Sequence, residues 1–71
     1  MVMKTSARNQ FRGTIRDIVK GPVSSEVTIE IAPGIRVVAV ISARSADGLG
    51  LTVGNQAYAL IKATSVIVAV D

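Results

Sequence analysis

Apolar and polar residues alternate through much of this chain with the period of a strand. Between residues 23 and 32, Val27, Ile29 and Ile31 alternate with Thr28 and Glu30, the period of two that marks a half-buried strand. Upstream, residues 8–20 read as a first strand with Phe11, Ile15, Ile18 and Val19 as its apolar positions. Gly13 inside it predicts a bulge or a bend. Lys20-Gly21-Pro22 is a turn signal. Pro33-Gly34 closes a second turn, and residues 35–41 return as a third strand. Both faces of that strand are apolar, which predicts a central position or one pressed against another subunit. Residues 42–50 break the pattern. Ser42 can cap a short helix, and Gly48 and Gly50 can end it. Residues 51–56 lead into a fourth strand at 57–62, Ala63-Thr64-Ser65 interrupts, and residues 66–70 read as a fifth. The predicted fold is all-β: a small five-stranded OB-like Greek-key barrel with one short helical turn between the third and fourth strands.

Composition agrees with the pattern. The chain holds 11 Val and 8 Ile against 3 Leu, and stiff β-branched side chains suit a pleated surface. Its 71 residues allow a single domain over residues 1–71. A domain of this size buries only about 60% of its unfolded surface. Yet 49% of the residues are hydrophobic and 18% are charged. That is more apolar surface than one small core hides, so an oligomer is expected.

Charge and chemistry narrow the function. Cys and His are both absent, which excludes disulfides, thiolate zinc sites, thiol nucleophiles and histidine bases. Asp17, Glu26, Glu30, Asp47 and Asp71 are scattered on different elements, and no pair of them reads as an acid/base or metal couple. The chain is therefore read as a binding protein, not an enzyme, with no catalytic residues. The net charge is +3, without blocks of like charge. Phe11 and Tyr58 are the only aromatics, and Tyr58 is assigned to the core. A nucleic-acid-binding OB module stacks bases on aromatics along a basic groove, so that function is the weaker reading here, beside a purely structural oligomerisation domain. Arg12, Arg16 and Arg36 read as solvated strand exteriors. The longest apolar run, Val37-Val38-Ala39-Val40-Ile41, is far short of the roughly 20 residues that span a bilayer. Met1-Val2-Met3-Lys4-Thr5 has no apolar leader. No membrane association and a cytoplasmic location are expected.

Two polar islands interrupt the apolar chain. The first is Thr5-Ser6-Ala7-Arg8-Asn9-Gln10, and the second is Lys62-Ala63-Thr64-Ser65. Together they offer hydroxyl, amide and backbone donors with two fixed positive charges and no carboxylate. That donor set suits a compact tetrahedral oxyanion. On chemistry alone, solvated strand ends are the competing interpretation. Ser42-Ala43-Arg44 repeats three letters of the first island without Asn-Gln behind it, and helix capping explains Ser42.

Ser6-Ala7-Arg8-Asn9-Gln10, Gly13, Lys20-Gly21, Ser25-Glu26-Val27, Leu51-x-Val53-Gly54 and Ile61-Lys62-Ala63-Thr64-Ser65-Val66 together resemble a molbindin, the single Mop domain of molybdate-binding proteins. The resemblance runs from about residue 6 to residue 69. It implies an OB-like barrel, a dimer that exchanges an N-terminal strand, and a hexamer assembled as a trimer of dimers. It implies molybdate or tungstate as the bound ligand, held between subunits. The same domain occurs fused in molybdate-responsive regulators and transporter ATPases. This chain has no room for such a partner, so storage and homeostasis of the anion are the expected role. By motif, the principal site would use Ser6, the Ala7 backbone, Arg8 and Asn9 of one chain with Lys62, Ala63, Thr64 and Ser65 of a neighbouring chain. A second site would lie at the turn after the first strand, on Lys20, Gly21, Val23, Ser24 and Ser25. Pro22, which has no N–H, removes one backbone donor there.

Overall fold

The computed structural model describes residues 4–71. Of the segment Met1 to Thr5, in which no apolar leader is expected, residues 1–3 lie outside them. Strands β1 (Asn9–Lys20), β2 (Ser24–Ala32) and β3 (Ile35–Ser42) are followed by a short helix α1 (Ala43–Gly48). Strand β4 (Gln56–Ile61) and a 3-10 turn (Ala63–Ser65) complete the elements. The four strands form one antiparallel sheet in the order β3-β2-β1-β4. That order is the Greek key, two hairpins followed by a strand that returns beside the first. The sheet curls, so that Val37, Ala39 and Ile41 of β3 and Ala59 and Ile61 of β4 line one apolar cavity of about 460 Å³.

The curl depends on two features of β1. The register slips between Ile15 and Asp17, so that Ile15 opposes Ile29 while Ile18 opposes Val27. Strict alternation would send residues three apart to opposite faces. The extra residue, Arg16, lets both isoleucines turn toward the core. The bulge predicted at Gly13 is thus at Arg16. Gly13 serves a different purpose. A Cβ there would collide with the Glu30 carbonyl oxygen and come within 2.7 Å of Ile29 Cγ2. Only glycine allows β2 to approach this closely.

The core is Ile15, Val27, Ile29 and Ala59, with Ile18, Ile31, Val37, Ile41, Leu51 and Ala57 packed against it. The loop before β4 is lashed to the same strand. The Gly54 N–H donates to the Ile15 carbonyl at 2.8 Å, and the Ile15 N–H donates to the Asn55 carbonyl at 2.9 Å. Gly54 adopts φ 96°, a conformation that favours glycine. The Ser42 hydroxyl caps α1 by accepting the Ser45 N–H at 3.0 Å, as its position predicts.

Several expectations are corrected. Of the two positions expected for the third strand, the central one is not taken, since β3 lies at the sheet edge. Its side chains alternate, leaving Ile35, Val38 and Val40 exposed. Residues 66–70 form no strand, and Ile67 and Val70 are each 91% exposed. The barrel expected with five strands therefore has four in the described chain. Tyr58 is 43% exposed rather than core, because Ala57 and Ala59 take the inward positions of β4. Among the described residues, no helix is long and apolar enough to cross a membrane.

Candidate functional site

Pairing between β1 and β4 creates the site. Asn9 opposes Ile61 in the antiparallel register, so the residues just before β1 and just after β4 arrive at the same end of the sheet. There Thr5, Ser6, Ala7, Arg8, Leu60, Lys62, Ala63 and Thr64 line a cavity of about 310 Å³. Asn9 fastens the junction, its Nδ2 donating to the Ile61 carbonyl at 3.1 Å. Gln10 braces the arm, its Nε2 donating to the Ala7 carbonyl at 2.8 Å. On the other strand, the Ser65 N–H donates to the Lys62 carbonyl at 2.9 Å. That 3-10 turn folds the chain back after Lys62, keeping Ala63 and Thr64 on the cavity wall.

Electrostatically the cavity is one-sided. Arg8 and Lys62 are exposed and take part in no ion pair among the described residues. No carboxylate lines the cavity. Two cations with hydroxyl donors from Thr5, Ser6 and Thr64 therefore stand unanswered, which is an arrangement for an anion. The principal-site residues Ser6, Ala7, Arg8, Lys62, Ala63 and Thr64 are all brought together. Asn9 and Ser65 are not in the lining; one staples the strands and the other closes the turn. The sequence reading assigns 62–65 to a neighbouring chain. Within the chain itself, antiparallel pairing of Asn9 with Ile61 already brings the two islands to one end of the sheet. Thr5 and Leu60 complete the wall unforeseen. Thr5 belongs to the first polar island and was legible there, whereas nothing in the strand pattern marks Leu60.

The turn proposed for a second site is differently disposed. Its Gly21 N–H already donates to the Ser24 carbonyl at 2.9 Å, and the Val23 carbonyl accepts the Ala43 N–H at 2.8 Å. Ser25 is buried, opposite Lys20 in the ladder. Lys20, Val23 and Ser24 remain exposed at this end. The turn brings the named residues together, but part of their backbone capacity is used by the hairpin itself.

The arginines of the sheet exterior are answered internally. Arg12 Nε donates to Gln56 Oε1 at 2.7 Å, and Arg16 Nε donates to Glu30 Oε1 at 2.9 Å. Arg36 lies 3.8 Å from the other Glu30 oxygen. The Arg16 hydrogen bond, then the Gly34 N–H, hold the Glu30 carboxyl below the usual carboxylate range, and Arg36 adds to this. Arg44 lies on α1, elsewhere in the fold.

Comparison with known proteins fits this geometry. The TOBE domain profile matches residues 5–68. The chain is 46% identical over its full length to the molybdenum transport protein ModE of Herbaspirillum seropedicae, of which it covers 26%. It spans only about a quarter of the first curated relatives it matches. It is 45% identical over 69 residues to a probable molybdenum-pterin-binding protein of Haemophilus influenzae, covering 97% of this chain and 100% of that one. Two solved structures superpose closely: MopII from Clostridium pasteurianum, with a TM-score of 0.88 and 37% identity over 94% of this chain and 100% of that one, and a molybdate-binding protein from Sporomusa ovata, with a TM-score of 0.87 and 37% identity over 94% of this chain and 98% of that one. The chain, matched from residue 5 to residue 68, belongs to the TOBE-domain family, of the Mop type.

Proposed function

We propose that this chain binds molybdate, reversibly and without catalysis, at the cavity between Arg8 and Lys62. One observation carries the reading: two cations and three hydroxyls converge on a cavity without a carboxylate. The two positive charges match the −2 of molybdate or tungstate. Both anions are fully deprotonated at neutral pH and offer only acceptors. Hydrogenphosphate carries an O–H that must spend a hydroxyl oxygen of the wall as acceptor, whereas molybdate uses every wall group as a donor. Storage and homeostasis of the anion in the cytoplasm is the role we assign.

We further propose that the chain works as a homo-oligomer, a hexamer in the form the resemblance implies. The exposed edge of β3 and the bare apolar segment at 66–70 support self-association. Since β1 is already paired, that C-terminal segment is the better candidate for exchange between chains. A neighbour would then cover a site whose two cations come from one chain.

Calorimetric titration with molybdate, tungstate, sulfate and phosphate tests the ligand. Saturable binding of molybdate and tungstate, with phosphate far weaker, is expected. An equal response to sulfate, or no response to any of the four anions, overturns the reading. Light scattering tests the assembly, and a stable 7.4 kDa monomer at micromolar concentration refutes it.

A further inference from the structure

Thr5 stands in the cavity wall beside Ser6, and its hydroxyl oxygen accepts the Ala7 N–H at 3.2 Å. This uses the backbone donor that a direct Ala7 contact to the anion would need. A hydroxyl has one donor and two acceptor positions. Accepting from Ala7 leaves the Thr5 proton without a partner among the described residues. The Ala7 peptide is held from its other side, since Gln10 Nε2 donates to its carbonyl at 2.8 Å. The peptide is thus oriented by Gln10 and delivers its N–H to Thr5.

We infer that Thr5 is a further anion-binding residue, its hydroxyl donating to the bound tetraoxyanion while its oxygen keeps the Ala7 N–H. The inference rests on the oxyanion reading of this cavity. Donors then run in series, from the Ala7 N–H to Thr5 Oγ1 and from the Thr5 O–H to the ligand. Each bond in such a chain polarises the next. The backbone of Ala7 acts on the anion through Thr5 and not by direct contact. An acceptor-only ligand completes this chain without reversing any bond in it.

The test is calorimetric titration of the full chain with sodium molybdate in four forms: wild type, Thr5→Ser, Thr5→Val and Thr5→Ala. Thr5→Ser keeps the hydroxyl and should stay within about twofold of wild type. Thr5→Val and Thr5→Ala should each bind roughly tenfold more weakly, the loss of one hydrogen bond to a charged group. Ala7 amide exchange, measured without ligand, should accelerate in both hydroxyl-free variants and not in Thr5→Ser. Wild-type affinity in Thr5→Val and Thr5→Ala overturns the inference and leaves the site reading standing. Tighter binding by these two also overturns it, since Thr5 would then compete with the ligand. A wild-type chain that takes up no molybdate overturns the site reading and the inference together.

Discussion

Replacing Arg8 by alanine tests whether the anion is held by a built site or by diffuse positive charge. Arg8 lines the cavity and Arg44 sits on α1, and both are exposed. A diffuse field would treat the two alike, whereas a site would not. A charge-assisted hydrogen bond contributes about 1.5–3 kcal/mol. Because Arg8 is exposed, solvent screening puts it at the lower end, near 1.5 kcal/mol. That is about a tenfold loss of molybdate affinity for Arg8→Ala. Arg44→Ala should change affinity by less than about twofold. Arg8→Lys keeps the charge but loses the forked donor geometry, so it should fall between them. Fold damage is not a confounder, because Arg8 joins no ion pair among the described residues. Exposed substitutions of this kind shift stability by only about 0.5 kcal/mol. The assay is isothermal calorimetry of each variant, run at low and at high sodium chloride. Equal losses for Arg8→Ala and Arg44→Ala, removed alike by salt, would refute the site.

Three further outcomes follow from the same geometry. If the proposed site draws Arg8 and Lys62 from one chain, mixing Arg8→Ala chains with Lys62→Ala chains, by unfolding and refolding them together, should recover no molybdate affinity on titration; recovery would place the islands on different chains. Gly13→Ala should cost about 1–3 kcal/mol in denaturant unfolding through overpacking against Glu30 and Ile29; an unchanged midpoint would contradict the close approach. The Glu30 carboxyl is held below its ordinary value, so its contribution is present above the ordinary carboxylate pKa and is lost as pH falls toward the lowered one. Denaturant midpoints should therefore drop more steeply with acid in wild type than in Glu30→Gln, and parallel curves would refute this.

Local pattern was a good guide where burial is decided locally. Val27, Ile29 and the polar residues between them announced β2, and Ser42 announced the helix cap. Pattern failed where a partner elsewhere in the chain decides. Residues 66–70 have the side chains of a strand, but a strand needs a neighbour to accept its N–H groups, and this segment pairs with none of the chain's strands. Gly13 drew attention as a bend because glycine permits one. Its actual constraint is a carbonyl on β2, which lies 17 positions away at Glu30 and is invisible in a local window. The bulge at Arg16 left a trace in the odd spacing of Ile15 and Ile18, a signal readable only once their common partner face is known.

The two polar islands were legible as chemistry, yet nothing in their composition could say that they meet within one chain. That depends on the register of β1 against β4, and the register is set by the core. Ala59 is 7% exposed and opposes Phe11, while Tyr58 faces out opposite Arg12. Slipping β4 by one residue would invert every side chain on it, bringing Ala59 to the surface and a bulkier neighbour to its core position. A small residue at 59 and a large one at 58 therefore exclude the slipped pairing. The same slip would move Ile61 away from Asn9, break the 3.1 Å bond between them, and shift Lys62 along the sheet by about 3.3 Å relative to Arg8. A displacement of that size exceeds the reach of a hydrogen bond. The placement of Lys62 beside Arg8 thus depends on a small residue in the core at Ala59, three positions earlier in the chain.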